Sequence, residues 1–301
     1  MKPKNNMKEQ MVLQSMVLPA VIVLIVFSYG PMYGAVIAFK DYNIGGGMFE
    51  GAWVGLKYFK QFLTDPMLFN VVKNTLVINV LGTLITFPAP IILALMINEL
   101  PTGRFKKFSQ TISYLPHFLS WVIFAGLILE MLRPSGVLSD LWVLFGLSEG
   151  PVNFMAQGSW FYIIFIVSSL VKGLGYGSII YVAALSGVDQ EIYEAGKVDG
   201  CTRLQRIWYL SLPSITGTIV VMLILQIASL LNTGIEQILM FQNSLNLAYS
   251  ETLDSYVYKV GVSQARWSYS TAVNLLKSVI SVFLLVGANK FSKKITGKGL
   301  F

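Results

Sequence analysis

The sequence predicts an all-α polytopic membrane protein with six transmembrane helices, on three observations. The 301 residues are 54% hydrophobic and 12% charged, with a mean hydropathy of +0.64. A soluble domain carries roughly 25% charged residues, so the chain falls among membrane proteins. Six apolar runs are each long enough to cross the hydrocarbon, which takes about 20 helical residues. Lys and Arg collect more heavily on one set of connections between these runs than on the other.

The spans are expected at about 12–39, 74–98, 109–132, 159–185, 214–235 and 269–289, within one transmembrane domain covering 1–301. The first follows a basic start and competes with a signal peptide. It is too long for one, and Pro31 follows the only small-x-small site, Ser28-Tyr29-Gly30, so it is read as an uncleaved span. The connection after it is polar and Gly-rich. Within 133–158 the Leu, Trp and Phe residues predict a helix at the interface, and Glu130 is expected to pair with Arg133.

With both termini inside, the inner segments hold Lys2, Lys4, Lys8, Arg104, Lys106, Lys107, Lys197, Arg203, Arg206, Lys290, Lys293, Lys294 and Lys298. The outer ones hold Lys40, Lys57, Lys60, Lys73, Arg133, Lys259 and Arg266, so thirteen inner cations face seven outer ones. That excess orients the chain with N and C termini cytoplasmic. It also explains the net charge of +7 without nucleic acid, since no basic face forms. Trp160, Tyr162, Trp267 and Tyr269 then fall at outer span ends, as an aromatic belt requires.

Polar residues within the spans are candidates for a substrate pathway. Lys172 lies midway along the fourth, with Ser168, Ser169 and Tyr176 at helical spacing; Gln226, Ser229 and Thr233 share a face of the fifth, near Asn232; Asn274, Lys277, Ser278 and Ser281 share a face of the sixth. Helix–helix hydrogen bonding is the alternative for the neutral groups, and snorkelling for the lysines. A charge inside a bilayer is costly unless offset, and no acid lies in the same stretches of spans four to six. The offset is expected from a partner chain, water or the substrate; in the last case the cargo is acidic.

The longest charged run between two apolar segments is 186–212, ending at Pro213. Ser186 with Asp189 reads as a capping-box start, Gly200 as a helix end, Thr202 with Gln205 as a second capping box, and Pro213 as the first turn of the next span. The result is two short helices at a bend, with Ile192, Ala195 and Gly196 on one face. Small residues there let another protein approach the backbone, as a docking plug would.

Glu194-Ala195-Gly196, then Asp199-Gly200, then Leu210-x-Leu212-Pro213 resembles the EAA motif of permease subunits of bacterial ABC importers, with Gly196 and Leu210 as mild departures. FKDYN with its glycines, WVGLKYF, KNT and SYLPHFLSW resemble the sugar-permease group, in its polysaccharide and oligosaccharide branch. The resemblance implies a type I importer fold, in which 186–212 is a coupling region seated on a cytoplasmic ATPase. It implies a second permease that is a different chain, two ATPase subunits that bind ATP and Mg, an extracytoplasmic solute-binding protein, and an oligosaccharide cargo. It also implies the bacterial cytoplasmic membrane.

No cofactor or metal is expected on this chain itself. It lacks G-x-x-x-x-G-K-[ST], and the GLGYG at 173–177 lies within an apolar helix, where close packing or a flexible point explains it better than a nucleotide fingerprint. No H-E-x-x-H or G-x-S-x-G appears, which counts against a membrane-embedded enzyme. One cysteine, Cys201, excludes a disulfide framework, and His117 alone reads as a packed helix-end residue rather than a ligand. A secondary transporter or channel has no need of a docking plug. A peptide or ion permease stays open, because the motif is shared across importers. The orientation is testable: a cysteine in 236–267 should react with an impermeant thiol reagent from outside and one in 290–301 should not, and the opposite labelling would overturn it.

Overall fold

The computed structural model describes residues 7–43, 45, 47, 50–297 and 299–300. Lys2, Lys4 and Lys298 of the charge count, and Gly46 of the glycine run, lie outside these residues. The described residues are helical, with one isolated antiparallel bridge between Lys40 and Trp53. Five helices are long and apolar enough to cross a membrane, or six if one bent pair is a single span.

The chain forms two compact units, residues 1–65 with 257–276 and residues 66–256 with 277–301. The smaller contains α1 (Gln10–Phe39) and α2 (Lys57–Leu63). Pro31 cannot donate to Phe27 and its ring crowds that carbonyl, and the helix widens to a π turn over Ile25–Tyr29. Residues 10–33 of α1 are exposed, so lipid or another chain must cover this apolar surface. Beyond it, Phe39 stacks on Trp53 at 5.7 Å, and Tyr269 meets the edges of Tyr58 and Phe62 at 6.5 and 6.3 Å.

The larger unit is built on α7 (Trp160–Ser186), which matches the fourth predicted span within a residue. Packed on it are α3 (Leu68–Asn98), α4 (Arg104–Tyr114), and α11 (Ile235–Phe241), while α5 (Trp121–Leu132) packs on α11. One end of α7 puts Phe161, Ile164 and Phe165 against Ile78, Ile238 and Phe241; the other puts Tyr181 and Leu185 against Ile91, Ala94 and Ile215. Lipid tails are as apolar as these side chains, so close packing and internal hydrogen bonds must do more here than water exclusion. Asn74 supplies such bonds: it donates to the Ala248 and Glu251 carbonyls at 2.9 Å and accepts from Tyr162 at 2.7 Å.

Two spans differ from expectation. The third, predicted as continuous over 109–132, is interrupted: α4 ends at Tyr114, a 3-10 turn covers Leu115–Phe118, and α5 starts after the Ser120 cap. Pro116 lacks an N–H and cannot continue α4. The fifth, predicted over 214–235, is a pair of helices bent by 64°, α9 (Arg203–Ser214) and α10 (Thr216–Ala228), with irregular backbone at 229–234. Ser229 turns its hydroxyl back to the Gln226 carbonyl, and Gly234 at φ +74° closes the irregular stretch. The expected interface helix is α6 (Val137–Leu144), and Glu130 pairs with Arg133 at 2.8 Å. The last helix, α12 (Trp267–Thr296), extends the predicted sixth span at both ends.

The glycines of GLGYG serve close packing. A Cβ on Gly175 would collide with the Ser113 carbonyl of α4, and one on Gly177 would sit 3.1 Å from Pro90, whereas Gly173 has nothing within 4 Å. Gly175→Val should therefore cost about 1–3 kcal/mol or more and lower the thermal midpoint in detergent, while Gly173→Ala should leave it equal or higher. Equal midpoints for wild type and Gly175→Val would show that α4 and α7 do not pack as described.

Candidate functional site

Two features of the larger unit carry chemistry, an exposed helical hairpin and a polar cavity. The hairpin begins at α8 (Gln190–Val198). The expected capping box at Ser186 is not formed: Ser186 ends α7 and donates to the Val182 carbonyl, and Asp189 itself caps α8 by accepting from the Glu191 N–H at 3.0 Å. The chain turns at Gly187, so Asp189 is the first residue placed to cap. Gly200 at φ +76° reverses the chain as expected, since a left-handed residue strongly favours glycine. Thr202 and Gln205 form the second capping box, through bonds of 2.8 and 3.4 Å.

The spacing of Glu194-Ala195-Gly196 to Leu210 follows from how this hairpin closes. A Cβ on Gly196 would lie 2.8 Å from Leu210 Cδ1, so only glycine lets α8 settle on α9 without moving that side chain. Gly196 is accordingly buried and does not share an exposed face with Ile192 and Ala195, as the sequence had suggested. One turn earlier, buried Tyr193 bonds Ser211 at 3.1 Å. The exposed face carries Glu191, Ile192, Glu194, Ala195 and Asp199, with Val198 at 88% exposure. Leu212 packs on the cluster around Tyr181 and Ile91, and Pro213 occupies the first turn of its helical segment.

Arg206 anchors the hairpin to α3 through a largely buried ion pair with Glu99 at 2.9 Å. Sequence reasoning missed Tyr193, Ser211 and this pair. Glu99 and Arg206 are 107 positions apart, and nothing local marks them as partners.

The cavity, about 170 Å³, is lined by Asn79 and Thr83 of α3, Ser169 of α7, Gln226 of α10, and Thr233 and Gln237 beyond it. Its wall is hydrogen-bonded through side chains. Gln237 donates to the Phe165 carbonyl at 2.9 Å and accepts from Ser169 at 2.9 Å, and Gln226 donates to Thr83 at 3.3 Å. Of the pathway candidates read from the sequence, Ser169, Gln226 and Thr233 line it. Ser229 is spent on its own helix, and Asn232 and Asn274 are exposed. Asn79, Thr83 and Gln237 were not anticipated, being single polar residues in apolar surroundings. Among the described residues no three His, Cys, Asp or Glu side chains converge as metal ligands.

Both intramembrane lysines have partners within the chain, contrary to the expectation of an external offset. Lys172 donates to the carbonyls of Pro116, His117 and Leu119, at 3.3 and 3.0 Å for the first two, and lies 5.3 Å from the Trp121 ring. The interruption leaves the His117 and Leu119 carbonyls without helical donors, while that of Pro116 also accepts from the Leu119 N–H at 3.3 Å, and the ammonium takes up all three. Tyr176, one turn on, stacks on His117 with ring centroids 3.8 Å apart and planes within 3°. Lys277 pairs with Asp254, whose other oxygen accepts from the Thr233 N–H at 2.7 Å. The acid was missed because it lies in the connection before the sixth span.

A membrane bundle with a hydrogen-bonding cavity and an exposed, tightly capped hairpin is the design of a transport permease. The chain belongs to the family of binding-protein-dependent transport system inner membrane components, whose description matches residues 86–297. It is 42% identical to Protein LplB of Bacillus subtilis (strain 168), over 95% of this chain and 90% of that one. It is 41% identical to the polygalacturonan/rhamnogalacturonan transport system permease protein YteP of the same organism, over 97% and 91%. A solved bacterial alginate ABC transporter, in complex with alginate pentasaccharide-bound periplasmic protein, contains a chain that superposes with a TM-score of 0.86. The identity is 35%, with both chains fully covered. The expected fold and family therefore hold.

Removing one member of a buried ion pair strands the other charge, at a cost of about 3–5 kcal/mol. Lys277→Met and Asp254→Asn should each lower the thermal midpoint, and the double variant should lose less than the sum of the two. Strict additivity would mean the pair does not hold the 229–234 segment.

Proposed function

We propose that this chain is one of two permease halves of an ATP-driven importer of oligosaccharides, with acidic, uronate-bearing chains as cargo. The observation that carries this reading is the full-length likeness to YteP and to the alginate transporter, a system named for import of an acidic polysaccharide in a related structure. The hairpin supports the coupling role independently. In this reading the chain is not itself an enzyme; ATP and Mg are bound by two cytoplasmic ATPase subunits. The second permease is a different chain, and a solute-binding protein delivers cargo from outside. The chain lies in the bacterial cytoplasmic membrane with both termini inside.

The EAA residues then divide into two jobs. Glu194, Ala195 and Asp199 face the ATPase, while Gly196, Gly200, Leu210, Leu212 and Pro213 build the hairpin that presents them. When ATP draws the ATPases together, α8 moves with them. Tyr193–Ser211 and Gly196–Leu210 pass that motion to α9, which carries it to α10 and, through Arg206–Glu99, to the end of α3; α10 and α3 both line the cavity. The pathway is neutral and hydrogen-bonding, from Ser169 and Gln226 with Thr83 and Gln237, and Tyr176 on His117 offers a flat ring face to a pyranose. Lys172, Lys277 and Ser229 support this wall, with their polar groups turned to partners in the chain; Asn232 and Asn274 remain pathway residues for a face shared with the second permease.

The docking role predicts the behaviour of Gly200→Val, which forces a β-branched residue into a left-handed position at about 1–3 kcal/mol. The variant should insert in the membrane but lose the ATPase on purification and lose transport. Co-purification of the ATPase at wild-type yield with normal uptake would overturn the assignment. The cargo is tested in proteoliposomes holding the assembled importer and its binding protein, where trigalacturonate should be taken up and uptake of neutral trisaccharides alone would reject acidic cargo.

A further inference from the structure

A second concave site lies in the smaller unit. It is a groove of about 450 Å³ lined by Asp41, Tyr42, Lys57, Tyr58, Gln61 and residues 265–269. The two contributing segments are stitched together by the Tyr42 N–H on Ser268 Oγ at 3.0 Å and by the Tyr269 hydroxyl on Asp65 at 2.8 Å. Ala265, at φ +53°, is the one non-glycine residue with positive φ among those described, and it sits at the bend that brings Arg266 to the groove. Strain of this kind persists only where the surroundings impose it.

The lining has the chemistry of an anionic-sugar site. Half-buried Tyr42 and Trp267 supply ring faces and Gln61 supplies an amide, while Tyr58 and Tyr269 are buried behind them. Asp41 is committed: it accepts from Tyr58 at 2.6 Å and pairs loosely with Lys57 at 3.4 Å. The Tyr58 bond and Lys57 hold its carboxyl below the usual range, and burial with that same bond pushes Tyr58 up to about 12, so the acid stays ionised and the phenol stays a donor. Arg266 is different. Its guanidinium lies 4.6 Å from the Tyr269 ring centroid and makes no ion pair among the described residues. The Trp267 indole N–H is buried without a partner.

The geometry points to a uronate-binding site in this groove, in which Arg266 takes the sugar carboxylate and the Trp267 and Tyr42 rings take its pyranose face. A planar guanidinium already held by a ring suits a carboxylate in two-point contact, and aromatic faces suit the apolar side of a pyranose. This site rests on the acidic-cargo reading and deepens it, since the orientation given above puts 40–73 and 236–267 on the outer side, where cargo arrives. Its role is to receive an acidic oligosaccharide before the neutral cavity does.

The test uses the assembled importer without its binding protein, carrying Cys201→Ser and Gln61→Cys, with alkylation by a charged thiol reagent read on this chain. Trigalacturonate should slow the labelling of the new cysteine, and maltotriose at the same concentration should not. Arg266→Gln should raise the trigalacturonate concentration needed by about tenfold, as loss of a charge-assisted contact does. Lys57→Gln should raise it less, because Lys57 is shared with Asp41. Absence of protection, equal protection by maltotriose, or protection that appears only when unloaded binding protein is added would overturn the site; the last would make the groove a protein contact. Uptake separates the two claims: trigalacturonate uptake without protection rejects only the groove, and protection without uptake rejects only the acidic cargo.

Discussion

Lys172 reaches across from α7 to the carbonyls of Pro116, His117 and Leu119, and much of the larger unit depends on that contact. In hydrocarbon no water takes up an unpaired carbonyl, so a span interrupted at proline is tolerated only if something else supplies the donors. An ammonium supplies up to three, and its own charge is offset by the same oxygens and by the rings of Trp121 and Phe124. The bend thus fixed lets the Ser113 carbonyl approach Gly175 and sets His117 on Tyr176. Asp254 answers the same constraint at the irregular 229–234 stretch, by accepting from Thr233 while Lys277 balances it. Lys172 and Lys277, pathway candidates by sequence, are therefore structural answers to broken helices.

The hairpin shows a different economy, suited to an aqueous face. Its caps are local and its closure is not: Tyr193 bonds Ser211, Gly196 lies against Leu210, and Arg206 of α9 pairs with Glu99 at the end of α3. A plug held only by its caps would flex when pulled, whereas one tied to α9 and α3 moves them. This is why a short motif spans twenty residues. In the proposed coupling role its exposed half is the partner-facing one, and its buried half packs on the rest of the chain.

The charge of the cargo is a matter of placement. The cavity within the bundle offers amides and hydroxyls, which suit any sugar, and its neighbouring lysines are already satisfied. The cationic groove of the smaller unit, with Arg266 beside Tyr269, lies where water screens charge and desolvation costs less. In the proposed reading, acidic chains are selected at that groove and the cavity itself stays neutral.

The sequence by itself determined the helical class, the fourth span within a residue, the chain reversal at Gly200, the Thr202–Gln205 box and the Glu130–Arg133 pair. These are short-range: apolar length, positive φ, caps and i,i+3 pairs are set by residues within a turn or two of each other. The tertiary structure decided where spans three and five break, that Gly196 faces inward, and which acids meet Lys277 and Arg206. Partners 23 and 107 positions apart are chosen by helix packing, which periodicity does not encode. The break at Pro116 was not read from the sequence, and only the packing of α7 against that turn identified the lysine that repairs it.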